Sequence, residues 1–225
     1  MDRDDPAFPG QSAYTPLLLR VYDPFVLGVA ARLVWRCPTA RLVEGYRRHV
    51  RGNHLDVGPG TGYFLAESGL PAGSRVTLVD PNPNVLDHAS QRLRHLSLTA
   101  VEADVLKPLP VDGPFDSAAL HLVIHCLPGP LSRKAAAVAN GAAVLAPTGV
   151  LFGASVLGTA GPQTWLSRRV LDTFNRRAAF DNLDDTADGL REILGASFER
   201  VELETVGSVA IFVATDLRTA APSQI

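Results

Sequence analysis

Lysine is nearly missing from this chain. Lys107 and Lys134 are the only two in 225 residues, and the net charge is −2 at pH 7. Phosphate contacts dominate nucleic-acid affinity, so a nucleic-acid partner calls for a basic patch. None is present, and the arginine pairs at 47–48, 168–169 and 176–177 read as solvated helix faces. Cysteine is equally scarce. Cys37 and Cys126 form no CxxC or His/Cys ligand spacing, which argues against a structural zinc and for ordinary thiols in a reducing compartment. The most apolar stretch, Leu17 to Trp35, is broken by Arg20, Asp23, Pro24 and Arg32, so it is no membrane span. Met1 is followed by Asp2, Arg3, Asp4 and Asp5, the wrong charge for a signal peptide. These absences predict a cytoplasmic protein with no membrane or nucleic-acid partner.

The length suits one domain with decoration. Tyr14, Leu18, Val21, Tyr22 and Phe25 recur at helical spacing, and Pro24 and Pro38 punctuate the run, so residues 1–50 are expected as an N-terminal helical extension. Residues 51–225 then alternate. Strands are expected near 53–58, 75–80, 98–103, 115–121 and 149–156, with helices at 61–69, 82–95 and 131–146. Two helices follow, about 162–178 and 186–195, and a hairpin closes the chain over 198–205 and 209–215. Alternating strands and helices predict an α/β fold, a doubly wound, Rossmann-like sheet with helices on both faces. The hairpin brings the count to seven strands.

The densest signal is Leu55-Asp56-Val57-Gly58-Pro59-Gly60-Thr61-Gly62-Tyr63-Phe64. Strand, tight glycine turn and helix make a nucleotide cradle, with free backbone N–H groups aimed into the crevice. The spacing is G-x-G-x-G. A dinucleotide site would place its third glycine at Tyr63, and a P-loop would need a lysine that is not there. Asp56 would repel a diphosphate and suits a ligand carrying an ammonium group.

With that turn the chain resembles the class I S-adenosyl-L-methionine (SAM) dependent methyltransferases, whose first motif is D/E-x-G-x-G-x-G. Four later landmarks resemble the same family. Asp80 ends the Arg75–Val79 run and is followed by Pro81, Asn82 and the Leu86/Ala89 pattern. Asp104 and Val105 follow the third strand, Phe115-Asp116 opens the fourth, and Leu145-Ala146-Pro147-Thr148-Gly149 leads into the fifth. The resemblance implies SAM as cofactor. It implies that Asp56, Gly58, Gly60 and Gly62 cradle it, that Asp80 takes the ribose hydroxyls with Pro81 and Asn82 also at the cofactor, and that Asp104 and Val105 meet the adenine. It also implies that the N-terminal helices act as a lid, in which Tyr22-Asp23 resembles the "Y-D" pair of quinone-type small-molecule methyltransferases. Asp116 reads as structural.

Methyl transfer from a sulfonium is an in-line displacement, so alignment and water exclusion dominate and a general base is optional. The candidates for catalysis are His121, at the tip of the fourth strand, which the resemblance places beside the cofactor, and His125, four residues on and on the same face if that segment is helical. The remaining histidines, His54 among them, read as solvated. Phe180 to Thr186 reads as a turn in which Asp184 or Asp185 caps the next helix, and no metal is expected. Segments 13–50, 121–130 and 157–190 match no nucleotide motif and should define the acceptor. The expected function is methyl transfer to a small organic molecule, a secondary metabolite or a quinone-like or aromatic compound, by a monomer or homodimer. Alternative readings are a SAM-binding protein running a different reaction, or a pure SAM-binding module.

Overall fold

The structure is a computed structural model that describes residues 31–218. The expected contact of Tyr22, and most of the expected lid, lie outside the described residues. Within them the elements are α1 (Thr39–His49), β1 (Asn53–Val57), α2 (Tyr63–Ala66), β2 (Arg75–Asp80), α3 (Pro83–Arg92), β3 (Ser97–Glu102) and β4 (Phe115–His121). A 3-10 turn (Ile124–Cys126) leads to α4 (Leu131–Ala143), β5 (Leu145–Val156), α5 (Trp165–Arg176), α6 (Ala187–Gly195), β6 (Phe198–Val206) and β7 (Val209–Leu217).

The seven strands form one sheet in the order β3-β2-β1-β4-β5-β7-β6. The first five are parallel and β7 runs antiparallel between β5 and β6. The central strands are apolar on both sides, as a sheet covered by helices on both faces requires. In β4, Ala118, Ala119 and Leu120 are all fully buried. The strand order reverses between β1 and β4, and in open α/β sheets ligands bind outside the carboxyl ends of the strands at such a point.

Several boundaries differ from expectation. The helix after the glycine turn is a single turn, because Ser68 Oγ bonds back to Leu65 O and the chain leaves through Gly69 at φ 80°. Strand β5 starts at Leu145, opposite Phe115, and then bulges before Val150 pairs with Ser117, so 146–149 is a bulge inside the strand rather than a turn before it. The helix over Ala187–Gly195 is capped by Thr186, whose side chain accepts from Gly189 N at 3.0 Å, and not by Asp184 or Asp185. Asp185 is engaged elsewhere. His54 is fully buried rather than solvated, since β1 lies between β2 and β4, and its Nδ1 pairs with Ser117 Oγ at 2.9 Å. Asp116 is structural as expected, accepting from Asn53 N at 3.0 Å.

Candidate active site

A cavity opens over the carboxyl ends of β1, β2, β3 and β4. One side is built from the glycine turn, with Gly58, Pro59, Gly60 and Thr61 in its lining. The three glycines all have positive φ, but they serve different ends. A Cβ on Gly62 would sit 3.3 Å from Ala89 Cα, so that glycine lets α3 pack against the turn and does not line the cavity. A Cβ on Gly60 would meet nothing within 4 Å. Gly60 therefore presents bare backbone to open space, which is what close approach of a ligand needs.

Beyond the turn lie Asp80, Pro81 and Asn82 at the tip of β2, then Ala103, Asp104 and Val105 past β3. Asp80 Oδ1 accepts from Asn82 N at 2.8 Å, which fixes the carboxyl at the strand end. Burial raises its pKa to about 7, with the Asn82 N–H pulling the other way. Asp104 Oδ1 accepts from Leu106 N at 2.9 Å, so it caps a local turn while still lining the cavity.

Asp56 is placed differently from the expectation. It is 1% exposed, absent from the cavity lining, and accepts a hydrogen bond from the Tyr46 hydroxyl at 3.0 Å. Burial pushes its carboxyl up to about 7, against the Tyr46 hydrogen bond. Tyr46 itself, which the sequence did not single out, lines the cavity.

His121 ends β4 in the cavity lining, 5% exposed. Its ring packs edge-on against Tyr46 at 5.1 Å and Phe64 at 4.5 Å. Both ring nitrogens are buried and, among the described residues, have no hydrogen-bond partner. A buried polar group without a protein partner calls for an explanation, and a ligand or a water in the adjoining cavity supplies one. Burial lowers its pKa to about 3, so the ring is neutral. His125 does not share the cavity lining with it. Leu122 turns the chain at φ 60°, and the 3-10 turn carries His125 away from the cavity lining. Its Nδ1 instead accepts from Val156 N at 3.3 Å, and its ring meets Phe180 at 4.4 Å.

The remaining lining is apolar: Leu122, Val123, Leu127, Pro128 and Ala179, with the Cys126 thiol among them. These come from the segments 121–130 and 157–190. No lysine or arginine lines the cavity among the described residues. Nor do those residues hold a group of three or more potential metal ligands, or a helix long and apolar enough to cross a membrane.

A methyltransferase domain family matches residues 55–151. Over 211 residues the chain is 38% identical to demethylluteothin O-methyltransferase of Streptomyces thioluteus, covering 93% of this chain and 92% of that protein. It is 35% identical to a physcion biosynthesis cluster O-methyltransferase of Aspergillus chevalieri, covering 95% and 98%. Its fold is similar to the N-methyltransferase NodS of Bradyrhizobium japonicum WM9, solved with S-adenosyl-L-homocysteine, at TM-score 0.58 and 18% identity over 79% of this chain and 84% of that one. The chain belongs to the class I SAM-dependent methyltransferases. Its cofactor is SAM, and its reaction is methyl transfer to a small acceptor. The site fits that cofactor: bare backbone facing open space at Gly60, carboxyls at two successive strand tips, and an unpartnered neutral histidine at a third.

Proposed function

We propose that this enzyme methylates a hydroxyl on an uncharged, planar aromatic acceptor. The observation that carries the reading is His121, a neutral imidazole with two unpartnered nitrogens in an otherwise apolar, aromatic part of the cavity. The bound cofactor supplies an electrophilic methyl on a sulfonium. The chain's own residues do the rest. Gly58 and Gly60 admit the methionine portion, Asp80 and Asn82 take the ribose hydroxyls, and Ala103, Asp104 and Val105 take the adenine. His121 accepts a hydrogen bond from the acceptor hydroxyl and aims its oxygen along the displacement line. A ring held neutral to about pH 3 is a weak base, so orientation outweighs proton removal in its role, and the hydroxyl proton leaves to water as the ether forms. His125 acts as a packing residue.

The names of the two relatives, both O-methyltransferases, support an oxygen acceptor. The lack of a cation in the described lining supports an uncharged one, because a buried carboxylate without a partner is costly. The two unpaired thiols fit the reducing cytoplasm. Turnover assays with 7-hydroxycoumarin, 1-naphthol and 4-hydroxybenzoate test the reading by mass spectrometry of the products. Methyl ethers of the first two, with little product from the benzoate, are expected. Preference for the carboxylated phenol would overturn it.

A further inference from the structure

One of the two lysines is spent in the core. Lys134 on α4 is 0% exposed, and its ammonium donates to Asp185 Oδ2 at 2.7 Å and to the carbonyl of Asp181. The Asp185 side chain is 3% exposed. Neither residue lines the cavity. A buried ion pair adds little net stability over a well-packed apolar pair, so stability is a poor account of it.

What the pair joins is specific. Residues 181–185 connect α5 to α6, and they are bound on every side. Asp181 N donates to His125 O at 2.9 Å, and Asp181 Oδ2 accepts from Gly129 N at 2.7 Å. Asn182 Nδ2 donates to Val156 O at 2.8 Å, and Gly158 N donates to Asp185 O at 2.8 Å. Phe180 packs on His125. Thus the loop after β4, the end of β5 and the 179–185 segment are clamped together, and Lys134 ties the clamp to α4. Leu127, Pro128 and Ala179 ride on those segments and form apolar wall in the cavity. The cofactor residues at Gly58, Gly60 and Asp80 are carried by β1 and β2 instead.

We propose that Lys134 is a positioning residue for the methyl acceptor: its ion pair with Asp185 sets the Leu127–Pro128 and Ala179 wall against which the acceptor stacks, independently of the cofactor cradle. This rests on the acceptor reading given above. It accounts for a charge pair placed where an apolar pair would fold as well, since directional bonds fix one geometry and apolar contacts do not.

The test uses the full chain with Lys134→Met and with the double variant Lys134→Met/Asp185→Leu, which removes the stranded carboxylate. S-adenosylhomocysteine affinity, melting temperature, hydrogen exchange with that ligand bound, and steady-state kinetics on 7-hydroxycoumarin are measured. Lys134→Met should lower the melting temperature, and the double variant should recover it. In the double variant S-adenosylhomocysteine affinity should stay within about twofold while KM for 7-hydroxycoumarin rises about tenfold and kcat changes less. Exchange should accelerate at 125–130 and 178–182 and hold at 55–62. A double variant that recovers melting temperature together with wild-type KM and wild-type exchange makes the pair purely structural and overturns the proposal. So does a parallel loss of S-adenosylhomocysteine affinity. Failure of the wild-type chain to bind S-adenosylhomocysteine would instead strike the methyltransferase reading itself. Wild-type binding with no turnover of 7-hydroxycoumarin leaves the exchange comparison to decide: unchanged exchange at 125–130 and 178–182 overturns the proposal.

Discussion

The Tyr46 hydroxyl donates to Asp56 Oδ1 at 3.0 Å, inside the core and at the back of the cofactor turn. Tyr46 is 2% exposed, and its ring meets His54, Phe64, His121 and Phe152. The acidic residue that opens the glycine motif is thus tied to α1 rather than aimed at the cavity. The bond couples α1 to the strand that leads into the glycine turn.

Tyr46→Phe should therefore act on stability first. It leaves a buried carboxyl without its donor and should cost about 1–3 kcal/mol in urea unfolding. Asp56→Asn tests the same site by pH. The Asp56 pKa is raised to about 7 in the fold, so the folded state favours the protonated form. Its stabilising contribution is complete below the unfolded carboxyl range and is lost as pH rises through about 7. The asparagine variant should gain on the wild type at pH 8 relative to pH 5, by about 3 kcal/mol at most, since about two pH units of the shift lie between pH 5 and the folded pKa. An equal difference at both pH values would mean that Asp56 does not titrate there.

Asp80→Ala should weaken S-adenosylhomocysteine binding by about 1.5–3 kcal/mol, tenfold to a hundredfold, in calorimetric titration. The carboxylate is the form that accepts hydroxyl hydrogen bonds, and the pKa of Asp80 is raised to about 7. Wild-type affinity should then fall about tenfold from pH 8 to pH 6, and Asp80→Asn should flatten that slope. Unchanged affinity in Asp80→Ala would remove this carboxyl from the cofactor site.

Gly60→Val should abolish S-adenosylhomocysteine binding in a chain that still folds. Its Cβ enters open space and strikes no protein atom, so the collision is with the ligand, although φ 56° adds backbone strain. Circular dichroism and calorimetry separate the two effects. Wild-type affinity in a folded variant would make the turn structural only.

His121→Ala should reduce kcat on 7-hydroxycoumarin by about tenfold to a hundredfold while S-adenosylhomocysteine affinity changes little, as expected for an orienting group. His121→Asn, which keeps a hydrogen-bonding side chain, should recover part of that loss. Because the ring stays neutral to about pH 3, the rate profile should show no limb near 6.5 from this residue. Equal kcat for the alanine variant and the wild type would leave the acceptor without a protein partner at this position.

The N-terminal extension has its own test. Hydrogen exchange over residues 13–35 should slow when S-adenosylhomocysteine binds, by more than the slowing at 58–62, if this extension closes over the cofactor. Full turnover after deletion of residues 1–30 would show that closure is not needed.

The cavity end of the sheet was legible in the chain because its parts are local. A glycine turn, an acid at a strand tip and an apolar strand run each act through their immediate neighbours, so their order along the sequence carries the fold class, all seven strands and the positions of Gly58, Gly60, Asp80, Asn82 and Asp104 at one end of the sheet. Tertiary structure decided what depends on distant partners. Asp56 looked like a ligand until Tyr46 arrived from α1. His121 and His125 looked like a pair on one face, and after the reversal at Leu122 only His121 lines the cavity. Asp185 looked like a helix cap, but Lys134, 51 residues away, holds its carboxylate and leaves the cap to Thr186. A carboxylate or an imidazole has the same chemistry in any stretch of chain. Whether it serves a ligand or the core is set by which group reaches it first, and that follows only from the packing.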